Sequence, residues 1–185
     1  QTDPLTGCLN RHSLAPRVDQ MLARLRETGE TASLVMVDIN DFKHINDKIG
    51  SDAADRLLID TARRLEGLLP PGALLARLGG DEFACLIPHL PGQTDRVTHV
   101  AEAMMSSMDR KVETHRVSIG MANGDRTNRL GSAPIDANGL LHLAEVALFH
   151  AKKQSRPAPL WFEESLETEL RYRCELEMAI RDAIP

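Results

Sequence analysis

The chain has 185 residues, 42% hydrophobic and 26% charged, with a formal net charge of −5. That length fits one domain with a small appendage, able to bury roughly 70% of its unfolded surface. The negative balance argues against a nucleic-acid binder that relies on bulk positive charge. Aromatic residues are only 3%, so the core is expected to consist of Leu, Val, Ile, Met and Ala. The three cysteines, Cys8, Cys85 and Cys174, form an odd set without a C-x-x-C pair. A reducing, cytoplasmic compartment is the simplest reading. No apolar run approaches the roughly 18 residues of a membrane span, so no membrane contact by this piece is expected. The opening QTDPLTG shows no signal peptide. The chain reads as an excised piece, whose parent protein can carry a membrane anchor elsewhere.

In chain order, NRHSLAPRVDQMLARLRE places Leu14, Val18, Met21, Leu22 and Leu25 at helical spacing, with Pro16 in the first turns. TASLVMVDIN is a short β-branched run and predicts a buried strand ending at Asp38. SDAADRLLIDTARRLEGLL returns to helical period, with Ser51 or Asp52 as its expected cap and PPG as its stop. ALLARL and EFACLIP predict two strands around the turn at Gly79 and Gly80. TDRVTHVAEAMMSSM then reads as a helix, THRVSIGMA as a strand and ANGLLHLAEVALFHAKKQ as a helix. Strands and helices interleave, which predicts an α/β or α+β sandwich with helices covering a central sheet. After SRPAP a charged helix follows, with a thin apolar stripe at Leu166, Leu170, Cys174 and Met178. It is either a solvated terminal helix or a connector that packs on a following domain.

Three places carry the chemistry. Asp38 ends an apolar strand, and Asp81 follows a tight turn that lies beside that end if both strands share a sheet. Two carboxylates meeting there repel, and a divalent cation removes the cost; the alternative is a turn aspartate with an exposed Glu82. DFKHINDKIGSDAAD brings Asp41, Lys43, Asn46, Asp47 and Asp55 between a strand end and a helix start, where open α/β sheets place ligands. Its alternative is a polar loop before a capped helix. AKKQSR ends the late helix with Lys152, Lys153 and Arg156. These suit either a triphosphate or the negative end of the helix dipole.

RLGGDEF, Arg77 to Phe83, resembles the signature of GGDEF domains, the diguanylate cyclases. DPLTGCLNR, VDINDFKHINDKIG, VSIGMA and AEVALFHAKKQSR are similar to further motifs of that family in the same order. The resemblance covers residues 1–157. Residues 158–185, a linker and charged helix, resemble the lead-in of an EAL phosphodiesterase domain, so the resemblance implies a GGDEF–EAL tandem parent.

That resemblance implies an α+β, ferredoxin-like palm fold of the nucleotidyl cyclases. It implies a mostly antiparallel central sheet under helices, with the signature on a β-hairpin. It implies condensation of two GTP molecules into cyclic di-GMP and two pyrophosphates, at a site shared by a homodimer. Asp38, the Ile39 carbonyl, Asp81 and Glu82 would hold Mg²⁺ or Mn²⁺, and Asp81 and Glu82 would be the catalytic pair. Glu82 would assist the metal or deprotonate the attacking 3′-hydroxyl. Lys43, Lys152 and Arg156, with backbone amides near Asp41 and Phe42, would hold phosphates. Asn46 and Asp55 would read guanine, and Asp55 would repel an adenine edge. Gly79 and Gly80 would leave room for the α-phosphate.

Asn40, Ser51, Ala54, Glu145, Phe149 and Ser155 depart from the family's usual residues. Ser51 and Ala54 lie in the guanine-reading segment, which keeps open a weak or inactive GTP-binding domain that regulates a downstream EAL domain. Pro70, Pro71, Gly72 and Ala73 stand where the family's product-inhibition site has Arg-x-x-Asp, so no feedback inhibition through that site is expected.

Overall fold

The computed structural model describes residues 1–108, 116–126 and 133–183. Every residue of strand β1 (Thr31–Ile39) is buried, as its uninterrupted apolar run predicts. Successive strand side chains point to opposite faces. Ala32, Leu34 and Met36 enter one core, while Val35, Val37 and Ile39 enter a second. A strand buried on both faces belongs inside the sheet. The five-stranded order is β2-β3-β1-β4-β5, with β2 (Leu74–Gly79), β3 (Glu82–His89), β4 (Val117–Asn123) and β5 (Leu160–Trp161). All pairings are antiparallel except β4 with β5. The first residues of the predicted fourth strand, 114–115, lie outside the described residues.

Helices α1 (Arg11–Glu27) and α5 (Ala137–Ala151) close the first core. Helices α3 (Ser51–Leu68) and α4 (Thr94–Met108) close the second. Met104 and Met108 are buried in that second core, as is Cys85. The expected α+β sandwich, with its mostly antiparallel sheet and signature hairpin, is the observed architecture.

Four details differ from or extend the sequence reading. The expected polar loop after β1 contains a short helix, α2 (Phe42–Ile49). Its signal was Phe42 and Ile45, three apart, which both pack on the second core. Neither Ser51 nor Asp52 caps α3: Gly50 holds the cap position at φ 87°, and Ser51 opens the helix. Asp52 instead lies in the first turn, where its charge opposes the helix dipole. A two-residue β5 was not anticipated; Phe162 N donates to Met121 O at 2.7 Å and holds it on β4. Trp161 anchors the same segment through Nε1 to Thr98 Oγ1 at 2.9 Å.

Gly120 sets the height of α5 above the sheet. A Cβ there would stand 2.2 Å from Leu148 N and 2.6 Å from Ala144 O. Both are backbone atoms of α5, so no side-chain rearrangement relieves the collision. Only glycine lets α5 approach this closely, and the residue that caps α5 is Lys152.

Helix α6 (Glu164–Ala183) starts against the first core through Leu166. His150 Nε2 on α5 lies 3.0 Å from Leu166 O. Further along, Cys174 is exposed, as are Tyr172, Leu176, Met178 and Ile180. The expected stripe is therefore covered only at Leu166; the side chain of Leu170 lies outside the described residues. No described helix is long and apolar enough to cross a membrane.

Candidate active site

Strand register builds the site. Asp38 is opposite Glu82 on β3 and opposite Ser118 on β4. Asp38 shares the parity of Leu34 and Met36, and Glu82 that of Ala84 and Leu86. Both acids therefore point to the face covered by α1 and α5. Gly80 and Asp81 form the two-residue tip between β2 and β3. Ile39 N donates to Asp81 O at 3.1 Å, tying that tip to the end of β1.

Asp38 is 7% exposed. Its Oδ2 pairs with Lys152 Nζ, projecting from the residue that caps α5. Its Oδ1 is buried and has no hydrogen-bond partner. Burial pushes the Asp38 carboxyl from its ordinary 3.8 up to about 6; the hydrogen bond and charge of Lys152 oppose the rise, and the neighbouring Asp81 carboxyl adds to it. Glu82 is also pushed up, first by burial and then by the Glu145 carboxylate, against the pull of Lys152 and Arg11. Carboxylates crowded out of water raise one another's pKa values.

This donor set fits a divalent cation. Hard cations take carboxylate oxygens, and Asp38 Oδ1 is a buried acceptor with nothing to accept from. Among the described residues, no group of three or more His, Cys, Asp or Glu side chains is already arranged to hold a metal ion. The Ile39 carbonyl and Glu82 would have to complete the shell, as the resemblance implies.

Of the residues expected to hold phosphate and base, Lys152 meets Asp38 directly, and among the described residues no hydrogen bond or ion pair joins Lys43, Arg156, Asn46 or Asp55 to the carboxylates. Asp41 sits at φ 53°, ψ 33°, in the left-handed region, and its side chain makes no capping bond to α2. Strained backbone of this kind costs about 1–3 kcal/mol and concentrates at functional sites. Phe42 and Lys43 open α2, whose first amide groups have no partner within the helix. Lys43 and Arg156 are exposed. Asn46 is half-buried on α2, and Asp55 is exposed in the second turn of α3. Gly50, whose N donates to Asn46 O at 2.9 Å, joins these two helices.

Gly79 and Gly80 are informative because the chain itself does not require them. Neither has a positive φ, and a Cβ on either would meet nothing within 4 Å. Neither the space around a Cβ nor a left-handed backbone requires glycine at either position.

Sequence reading overlooked the parts that position the hairpin. Arg77 Nη2 donates to Gly80 O at 2.9 Å, and Arg77 Nη1 pairs with Asp3 Oδ1 at 3.1 Å. Asp3 also accepts from Thr6 N and Thr6 Oγ1 at 2.9 and 2.7 Å. The available signal was an acid and a base, one in each of two motifs already in hand. Ser118 Oγ, similarly overlooked, donates to Asn40 Oδ1 at 2.7 Å and braces the chain just past Asp38.

Residues 1–158 match the GGDEF family of diguanylate cyclase domains. The chain is 32% identical to diguanylate cyclase TpbB of Pseudomonas aeruginosa, over 99% of this chain and 42% of that protein. It is 30% identical to an uncharacterised signalling protein of Caulobacter vibrioides, over 98% of this chain and 22% of that protein. It thus spans less than half the length of these two relatives. Among solved structures, the GGDEF domain of TpbB superposes with a TM-score of 0.81 at 30% identity, covering 92% of this chain and 99% of that one. The GGDEF domain of DgcB from Caulobacter crescentus, solved in complex with c-di-GMP, gives 0.73 at 25% identity, covering 88% and 96%. With most of its length matched and the signature hairpin in place, the chain belongs to the GGDEF family of diguanylate cyclase domains.

Proposed function

We propose that this domain is a diguanylate cyclase, condensing two GTP molecules into cyclic di-GMP with release of two pyrophosphates. The observation that carries the reading is Asp38: a buried carboxylate beside Asp81, with one oxygen unpartnered. Lys152 meets only Oδ2, and leaving Oδ1 buried without a partner is costly unless a further cation meets it.

Asp38, Asp81, Glu82 and the Ile39 carbonyl hold Mg²⁺ or Mn²⁺ on this reading. The bound ion supplies Lewis-acid stabilisation of the attacking and leaving oxygens. Glu82 either assists the metal or takes the proton of the 3′-hydroxyl. The freed oxygen forms a bond to the α-phosphorus of the second GTP. The bond from that phosphorus to the β-bridging oxygen breaks, and pyrophosphate leaves. The same exchange in the other direction closes the ring, which requires two protomers face to face as a homodimer.

Lys43, Lys152 and Arg156, with the first amides of α2, hold the β- and γ-phosphates. Asn46 and Asp55 read the guanine edge. Gly79 and Gly80 fit as the floor under the α-phosphate, since nothing within the chain requires glycine at either position. The EAL domain downstream of α6 rests on the sequence resemblance of residues 158–185 alone.

A second reading, GTP binding without turnover, draws on Ser51 and Ala54. Ala54 is buried at the start of α3, one residue from the proposed guanine reader. The test is incubation of the concentrated chain with GTP and Mg²⁺ or Mn²⁺, followed by chromatographic separation of products. Cyclic di-GMP from the wild type and none from Glu82→Gln supports the cyclase. Tight metal-dependent GTP binding by a demonstrated dimer, with no product, selects the second reading.

A further inference from the structure

We infer that Lys152 is a built-in counter-ion that stands in the cation's place on Asp38, so that a divalent ion binds by displacing it. The inference rests on the reading of Asp38 as part of the metal site.

Asp38 is held on both sides. Its strand pairs with β3 and β4 through its own position, so the carboxylate has little freedom to move. Lys152 is anchored differently. Its backbone N donates to Leu148 O at 3.1 Å, and α5 is seated on Gly120. Its side chain is 46% exposed, against 10% for that of Asp38. A four-carbon stem with that much access to water changes rotamer without moving the helix. Of the two partners, the ammonium is the one free to leave.

The pairing is also incomplete. Lys152 meets Oδ2 and leaves the buried Oδ1 without a partner. One ammonium contacts Asp38 and acts on Glu82 through its charge, while Asp81 lies beside Asp38. A dication coordinates several carboxylate oxygens at once, where an ammonium has three donors on a single point. Like charges cannot share the site at contact distance, so the metal and the Lys152 ammonium exclude each other from Asp38.

Metal binding without nucleotide must therefore break the Lys152–Asp38 pair and release a cation with no new partner. A triphosphate supplies that partner. Metal and nucleotide then bind cooperatively, because each removes part of the other's cost, and the coupling is reciprocal. The contact keeps Asp38 paired in the empty domain and discourages metal loading until nucleotide arrives.

The test is Mn²⁺ binding to the full chain without nucleotide, followed by electron paramagnetic resonance of free Mn²⁺. Wild type is compared with Lys152→Met, Lys152→Gln and Asp38→Asn. Lys152→Met is expected to bind Mn²⁺ about tenfold more tightly than wild type, and Lys152→Gln to change in the same direction. The melting temperature of each Lys152 variant should also rise more on adding Mn²⁺ than that of wild type, which keeps the test valid where a variant is destabilised. With GTP present the order reverses, because the variants lack the phosphate contact. Equal or weaker nucleotide-free Mn²⁺ binding by both Lys152 variants overturns the inference while leaving the metal site in place. Mn²⁺ binding that Asp38→Asn does not weaken overturns both the inference and the metal reading of Asp38.

Discussion

Arg77 and Asp3 form an ion pair of 3.1 Å in which each side chain is only 15% exposed. The pair fastens the N-terminal segment to the hairpin that carries Asp81. Arg77 grips Gly80 O on one side and Asp3 on the other. The segment is further held by Arg77 N donating to Leu9 O at 2.9 Å. Burial raises the Asp3 carboxyl, but the hydrogen bonds from Thr6 and then Arg77 outweigh it and hold its pKa below the ordinary value.

Arg77→Met leaves Asp3 without its counter-ion and Gly80 O without its donor. Breaking such a part-buried pair is expected to cost about 1–3 kcal/mol. Asp3→Asn should cost less, since Thr6 still donates. Amide exchange of Ile39, whose N–H reaches Asp81 O across the hairpin tip, should accelerate in Arg77→Met. Unchanged exchange at Ile39 would show that the tip is held by the strands alone.

Gly120→Ala places a methyl group against the backbone of α5 at Leu148 and Ala144. Helix and strand must separate, at a cost of at least about 1–3 kcal/mol. The displaced α5 carries Lys152, so nucleotide affinity should fall along with the thermal midpoint. Gly79→Ala is the matched comparison. It meets nothing within the chain, so it should leave the melting temperature almost unchanged while reducing product formation. A large loss of stability in Gly79→Ala would contradict the idea that this glycine serves the substrate.

Stability of the metal-free domain should fall as pH rises from about 4 to beyond 6. Asp38 has its folded pKa raised from 3.8 to about 6. The folded state thus holds this proton more tightly than the unfolded state, and the benefit is lost as the proton leaves. At 1.36 kcal/mol per pKa unit, the contribution is at most about 3 kcal/mol. Glu82, also raised, acts in the same direction. Asp3, lowered, acts oppositely and only below about pH 4. Urea denaturation across this range should show the decline in wild type and a reduced one in Asp38→Asn.

Added cyclic di-GMP should leave the initial rate nearly unchanged. Pro70, Pro71, Gly72 and Ala73 form the turn between α3 and β2, with Gly72 at φ 85°. That turn carries no charged side chain to grip a cyclic dinucleotide phosphate. A drop of about tenfold or more, traced to binding at this turn, would refute the expectation.

Much of this domain was legible in its residues. The uninterrupted apolar run at β1, the helical spacing of α1, α3, α4 and α5, and the glycine-containing turn between β2 and β3 are local patterns, and local sterics and burial enforce them; the tip itself falls at Gly80 and Asp81, with Gly79 closing β2. The motif residues Asp38, Asp81, Glu82 and Lys152 were named from their positions along the chain. Short elements were not legible: α2 and β5 have too few residues for a period to emerge, and both form because Phe42, Ile45 and Phe162 find cores built by distant segments. The partnerships were decided only by tertiary structure. Strand register put Asp38 opposite Glu82, close approach at Gly120 brought the end of α5 down to them, and Lys152 met Asp38 on the face that α5 covers. Each is an encounter between residues far apart in the chain. Sequence spacing prescribes which side chains share a face, while the distance between charges depends on how faces pack.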